Sequence, residues 1–431
     1  MAHQTGKIHY DNLIKRINKF PQGAPPSDLL YKILNILFSE KDAALVAQLP
    51  MRPFTAALAG RIWKLSQLKA KKILDELTSR AILVDIQLAG ETQYALPPPM
   101  AGFFEFSLMR TRNDIDQKLL SELFYQYLNV EEDFIKELFT RGETQLGRVF
   151  VNESVLSNEN ALQVLSHERA SHVIETARVI GISMCYCRHK MMHLGKACDA
   201  PMDICMTFNA AGASLVRNGH ARKISKEEGR DLLHKAWDHN LVQFGENFRE
   251  NLNFICNCCS CCCEAMLAAQ KFAMDNPVHT TAFIASSNEE NCKGCGKCIE
   301  VCPIKALSLV SADTPCGQEE KIIEIDPSRC LGCGVCLRNC PTKALTLEPR
   351  AERILTPVNI VHRTILMAIE RGNLAELLLD NNVMKNHRML AAFINVVIKL
   401  PLIKQTLAMK QVKSRYLEKL ITTHKFFKIP M

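Results

Sequence analysis

Eight cysteines between residues 292 and 341 fall into two runs of identical spacing. Cys292, Cys295, Cys298 and Cys302 precede Pro303; Cys330, Cys333, Cys336 and Cys340 precede Pro341. Each is a Cys-x2-Cys-x2-Cys-x3-Cys-Pro run, the spacing that wraps a 4Fe-4S cubane. Three thiolates must reach three irons from one tight loop, so small residues must separate them, and Gly294, Gly296, Gly332 and Gly334 give the backbone that freedom. Lys305-Ala306-Leu307 and Lys343-Ala344-Leu345 extend the match, as two copies of one loop-helix-strand unit would. Zinc also uses Cys-x2-Cys pairs, but it takes four ligands in two pairs and has no use for a doubled 2-2-3 spacing.

This segment resembles the bacterial-type dicluster ferredoxin domain. In that family the fourth cysteine of each run ligates the other cluster. The resemblance therefore implies one 4Fe-4S cluster on Cys292, Cys295, Cys298 and Cys340, and a second on Cys330, Cys333, Cys336 and Cys302. An extra loop around Asp313 to Gly317 carries Cys316, which belongs to neither run and reads as a bystander.

A second thiol-rich region lies upstream. Cys185, Cys187, Cys198 and Cys205 supply four thiols within about twenty residues, enough for a metal. His189 and His193 read as supporting or surface residues. Cys256 to Cys263 then places six cysteines in eight residues, too many to be inert packing, since adjacent side chains on a regular element point apart. Cys256, Cys259 and Cys263, at helical spacing, face the earlier four and extend their site, or else hold a separate cluster. Both an additional iron-sulfur cluster and zinc are open for this set. The whole unit resembles a cysteine-rich module of uncharacterised iron-sulfur proteins of anaerobes, often fused to ferredoxin domains. That resemblance implies no particular reaction.

The elements that must position these sites are partly legible. Residues 1–27 read as a polar lead-in. Helices are expected from Asp28 to about Ser39, from Thr55 as N-cap to about Trp63, and from Ser66 as N-cap through Gln67 to Arg80, followed by strands at 82–86 and 92–96. Three helices and a hairpin resemble the winged helix-turn-helix family. That implies a third helix able to enter a DNA major groove with Lys69, Lys71 and Lys72, or a docking module in which those lysines are merely solvated. DNA contact, if made, would run through 55–96. An amphipathic helical stretch follows over 114–140. Ser225 and Glu228 form a capping box for a helix ending near Asn240.

The expected fold class is α+β and multidomain: a winged-helix domain at 28–97, a helical spacer at 98–160, a mostly helical cysteine-rich module at 161–280, a dicluster ferredoxin domain at 283–349 and a basic helical tail at 351–431.

Composition sets outer limits. The 431 residues are 47% hydrophobic, ample for several cores. Net charge is +8, but from Lys385 onward ten Lys or Arg face one acid, Glu418, so the tail alone carries +9. It could dock an acidic redox partner or touch an anionic membrane surface, or it could be a solvated helix face. Nineteen cysteines clustered this closely suit metal thiolates in a reducing cytoplasm, and the N-terminus shows no charged and apolar leader. There is no phosphate loop, dinucleotide fingerprint, nucleophile elbow or His-Glu-x-x-His. The clusters are left as the chemistry. One-electron transfer to an unidentified redox partner is the expectation, with a redox-responsive DNA-binding regulator and a thiol- or cluster-based reductase as alternatives.

Overall fold

A computed structural model describes residues 2–88, 90–272, 278–313, 319–351 and 356–379. Cys316 and the basic tail from Lys385 lie outside the described residues.

The N-terminal lead-in is a helix, Ala2–Ile17. Tyr10, Leu13, Ile14 and Ile17 recur at three- and four-residue spacing and are buried, an apolar stripe hidden in polar composition. The Tyr10 hydroxyl donates to Phe38 O at 2.8 Å. Helices Asp28–Leu37, Ala56–Trp63 and Gln67–Ser79 start where Ser27, Thr55 and Ser66 accept from the third backbone N–H beyond them. An unexpected helix, Glu40–Val46, is held by a capping box between Ser39 and Asp42. Strands Phe54–Thr55, Glu91–Ala95 and Val84–Leu88, in that order, form a three-stranded antiparallel sheet.

The middle of the chain is not mostly helical. Six strands form one antiparallel sheet in the order Gly147–Val149, Val242–Glu246, Phe254–Cys258, Asp203–Phe208, Ile180–Met184 and Arg222–Ile224. Every residue of Val242–Glu246 is buried, so this strand lacks the polar alternation that marks a half-exposed one. The edge strand Gly147–Val149 comes from the stretch expected to be helical spacer, after helices Gln117–Tyr125 and Asp133–Thr140. The capped helix is Lys226–Asp238, with Ser225 accepting from the Glu228 N–H.

The C-terminal cysteine runs form the repeat expected of them. Helices Lys297–Val301 and Val335–Arg338 each follow a left-handed glycine, Gly296 and Gly334. Lys305 and Lys343 share φ of 55°, and Ala306 and Ala344 are both buried. Phe283–Ser287 pairs with Leu345–Pro349, and Leu307–Asp313 with Glu319–Ile325. Helix Ile360–Arg371 is tied to the sheet through the buried Arg363–Glu246 pair. No helix among the described residues is long and apolar enough to cross a membrane.

Candidate metal centres

In the C-terminal segment the fourth cysteine of each run sits with the other run. Cys302 lies beside Cys330, while Cys333 and Cys336 both sense the Cys302 charge. Cys298 senses Cys340 and Cys295. Burial pushes the Cys298 thiol up to about 11 and the Cys333 thiol up to about 12, so these sulfurs need a cation to ionise at neutral pH. Backbone N–H groups point at the sulfurs: Ala306 N to Cys302 Sγ at 3.2 Å and Gly332 N to Cys330 Sγ at 3.4 Å. Gly332 is also a point of close approach. At φ of +69°, a Cβ there would stand 2.0 Å from Phe283 O.

The upstream module holds ten cysteines, and tertiary structure sorts them into two groups. The first is a closed ring in which each thiol adjoins two others: Cys185, Cys187, Cys263, Cys258, Cys256, Cys205 and back to Cys185. Cys258 and Cys263 are 3.1 Å apart. The second group is Cys198, Cys259, Cys261 and Cys262, whose sulfurs all lie within 4.8 Å of one another.

The sequence groups Cys198 with Cys185, Cys187 and Cys205, and sets Cys256, Cys259 and Cys263 either with those four or in a separate cluster. The structure separates Cys198 and Cys259 from the rest, and it adds Cys258 to the ring and Cys261 and Cys262 to the tetrad. The assumption of helical spacing over 256–263 is what misled. Cys256 and Cys258 are on strand Phe254–Cys258, where alternate residues share a face, and Cys263 is the N-cap of helix Glu264–Lys271. Period-two spacing across Cys256-Asn257-Cys258 was the available signal. Asn257, between them, donates to Ile204 O at 2.7 Å and accepts from Gln243 at 2.9 Å, which pins the strand.

Around the ring, ionisation tendency alternates. Hydrogen bonds from neighbouring thiols draw Cys185 well down and bring Cys256 and Cys263 down to about 5, while Cys187, Cys205 and Cys258 are pushed up as the donors. Cys185 and Cys263 also cap helix N-termini, which favours thiolate. One buried cation faces the lowered thiols of the ring. Arg188 is wholly buried, donates to Pro201 O at 2.7 Å and Asn257 O at 2.5 Å, and is held charged against its burial by Cys185, Cys259, Cys205 and Cys258. Its Nε and the Tyr186 hydroxyl have no partner among the described residues. Behind the ring, Lys190 and Glu264 form a buried ion pair, with Asn129 bridging both at 2.7 Å. His189 bonds Leu108 O at 2.7 Å and His193 at 3.2 Å, so both histidines support the helix.

The ring forms one wall of a cavity of about 600 Å³. Its lining is chiefly apolar and includes Phe106, Met109 and Phe244; among the acids that line it, Glu105 senses the charges of Cys256, Cys263 and Cys185. Burial, and then the Cys256 charge, raise the Glu105 carboxyl well above its ordinary range.

Side-chain bridges among the described residues join this module to the C-terminal cysteine runs, among them an ion pair between Arg338 and Asp238. Gln270 donates 2.8 Å bonds to Ser260 O, inside the thiol block, and to Pro303 O, next to Cys302. Asn339, next to Cys340, donates to Asn240 Oδ1 at 2.7 Å. At the other end, helix Gln67–Ser79 exposes Lys69, Lys71 and Lys72, with Lys71 paired to Asp75 at 2.6 Å. Its hairpin is docked: Asp85 binds Ser214 Oγ at 2.6 Å, Arg217 Nε at 2.8 Å and Asn218 Nδ2 at 3.0 Å.

The donor set, eight thiols in two interleaved groups with N–H groups aimed at sulfur, suits iron-sulfur clusters. No curated protein and no solved structure matches the chain. Residues 291–344 do match a protein family, the 4Fe-4S dicluster domain, so the chain carries an iron-sulfur cluster-binding domain of that kind.

Proposed function

We propose that this chain is an electron-transfer protein in which two 4Fe-4S clusters supply electrons to a metal centre held by the six-thiol ring. One cluster takes Cys292, Cys295, Cys298 and Cys340, the other Cys330, Cys333, Cys336 and Cys302. The ring centre takes Cys185, Cys187, Cys205, Cys256, Cys258 and Cys263. The observation that carries the reading is the pair of bridges at Gln270 and Asn339. Each ends on a residue adjoining the fourth cysteine of a run, so the cluster domain is seated against the thiol-rich core. The N-terminal winged helix acts as a docking module, since Asp85 commits its hairpin to the core.

The test is iron and labile sulfide per chain in anaerobically purified protein, beside a variant with Cys185→Ser and Cys205→Ser. About eight irons belong to the two dicluster sites. More than that, falling to about eight in the variant together with one set of electron paramagnetic resonance signals, is the expected result. Equal iron in both proteins would refute a redox metal in the ring.

A second reading, a reductase acting on an apolar small molecule, is favoured by the cavity that ends on the ring. It requires turnover with a chemical electron donor and no protein partner.

A further inference from the structure

The four thiols outside the ring have a geometry of their own. Cys261 and Cys262 sulfurs are 3.6 Å apart, Cys262 and Cys198 4.0 Å, and all four sulfurs lie within 4.8 Å of one another. A single tetrahedral ion with metal–sulfur bonds of about 2.3 Å sets its sulfurs roughly 3.8 Å apart. A cubane holds its cysteine sulfurs farther apart, roughly 6 Å, because each lies beyond a different iron. The tetrad is too tight for the second and sized for the first.

We propose that Cys198, Cys259, Cys261 and Cys262 bind one mononuclear divalent metal ion as a tetrathiolate, zinc or ferrous iron, separate from every cluster in the chain. All four positions would be filled by protein, so the site is closed and structural, with no place for substrate. Its position explains what it does. Cys198 is on the loop between helix Tyr186–His193 and strand Asp203–Phe208, and the other three lie on the turn between strand Phe254–Cys258 and helix Glu264–Lys271. The ion staples these two connections, 64 residues apart at Cys198 and Cys262. The stapled turn carries Cys258 at one end and Cys263 at the other, so the ion fixes two members of the ring. Met191, Ile204, Ala236 and Leu241 pack around Cys259 and Cys262 on the inner side, while Cys261 is exposed. An ion can therefore enter from solvent at Cys261.

The inference does not rest on electron transfer and can fail separately from it. The full chain is purified anaerobically, and zinc, iron and labile sulfide are measured for the unaltered protein, Cys198→Ser and Cys261→Ser. The expected result is loss of one equivalent of zinc, or of one iron, with labile sulfide unchanged. Cobalt-grown protein should show tetrahedral tetrathiolate absorption that both variants lose and Cys205→Ser keeps. Cys261→His retains four ligands and should keep the ion with shifted cobalt bands, which separates ligand loss from misfolding. Loss of about four irons with their sulfide would make the tetrad part of a cubane and overturn the proposal, as would unchanged metal in both serine variants.

Discussion

The C-terminal cysteine runs and the upstream thiol core solve the same problem in opposite ways. In the runs, the ligand loop is local: spacing, glycines and proline are adjacent in the chain, and only the exchange of the fourth cysteine is long-range. In the core, the ring takes its members from the N-cap and first turn of one helix, two strands and a second helix N-cap, with no single loop to define it. Spacing is enough to recognise a site when one loop supplies most ligands. It misleads when a sheet gathers them.

This contrast can be broken most strongly at Lys190. Its side chain is 0% exposed and its partner Glu264 only 2%, so Lys190→Met leaves a buried carboxylate without its cation. Removing one partner of such a pair costs about 3–5 kcal/mol. Chemical unfolding of anaerobic protein should show that loss, and Lys190→Met with Glu264→Leu should recover most of it. The dicluster iron should stay in place; if it leaves with the single substitution, the two regions are not independent.

The local character of the runs is sharpened by two glycines. Both Gly296 and Gly332 have positive φ, but a Cβ at Gly296 meets only Leu309 at 3.9 Å, whereas at Gly332 it meets the Phe283 carbonyl. Gly296→Ala should cost about 1–2 kcal/mol for the backbone alone. Gly332→Ala should cost about 2–4 kcal/mol, because overpacking is added. Equal costs in unfolding midpoints would mean that the second loop is as self-contained as the first.

The smallest effect is expected at His220, on the seam between the N-terminal unit and the core. Its Nε2 donates to Ser79 O at 2.9 Å, and burial, with Arg110 and Arg112 nearby, lowers it to about 4. The folded chain therefore keeps this histidine neutral where the unfolded chain protonates it. Its contribution is intact above about pH 6.5 and is lost as the pH falls toward 4, about 1 kcal/mol between pH 6.5 and 5.5. His220→Asn should flatten that part of the stability curve, and an unchanged slope would locate the acid sensitivity elsewhere.

Much of the local structure was legible. Thr55, Ser66 and Ser225 mark helix starts that the structure keeps, because a cap is a bond between residues three apart. The helix Ala2–Ile17 was missed although Tyr10, Leu13, Ile14 and Ile17 carry its stripe, since the surrounding polar residues masked it. The six-stranded sheet was missed for a deeper reason. Strands buried on both faces show no alternation, and pairings such as Gly147 with Glu246 span about a hundred residues.

What the amino-acid order determined is the chemistry available: two cysteine runs of cubane spacing with glycines between their cysteines, and an excess of thiols upstream. Those features depend on neighbours along the chain. Which upstream thiols meet depended on the sheet, which sets Cys205 beside Cys256 and turns Cys259, Cys261 and Cys262 toward Cys198. Contact between distant residues follows from strand order and burial, and neither is written in the spacing of the cysteines themselves.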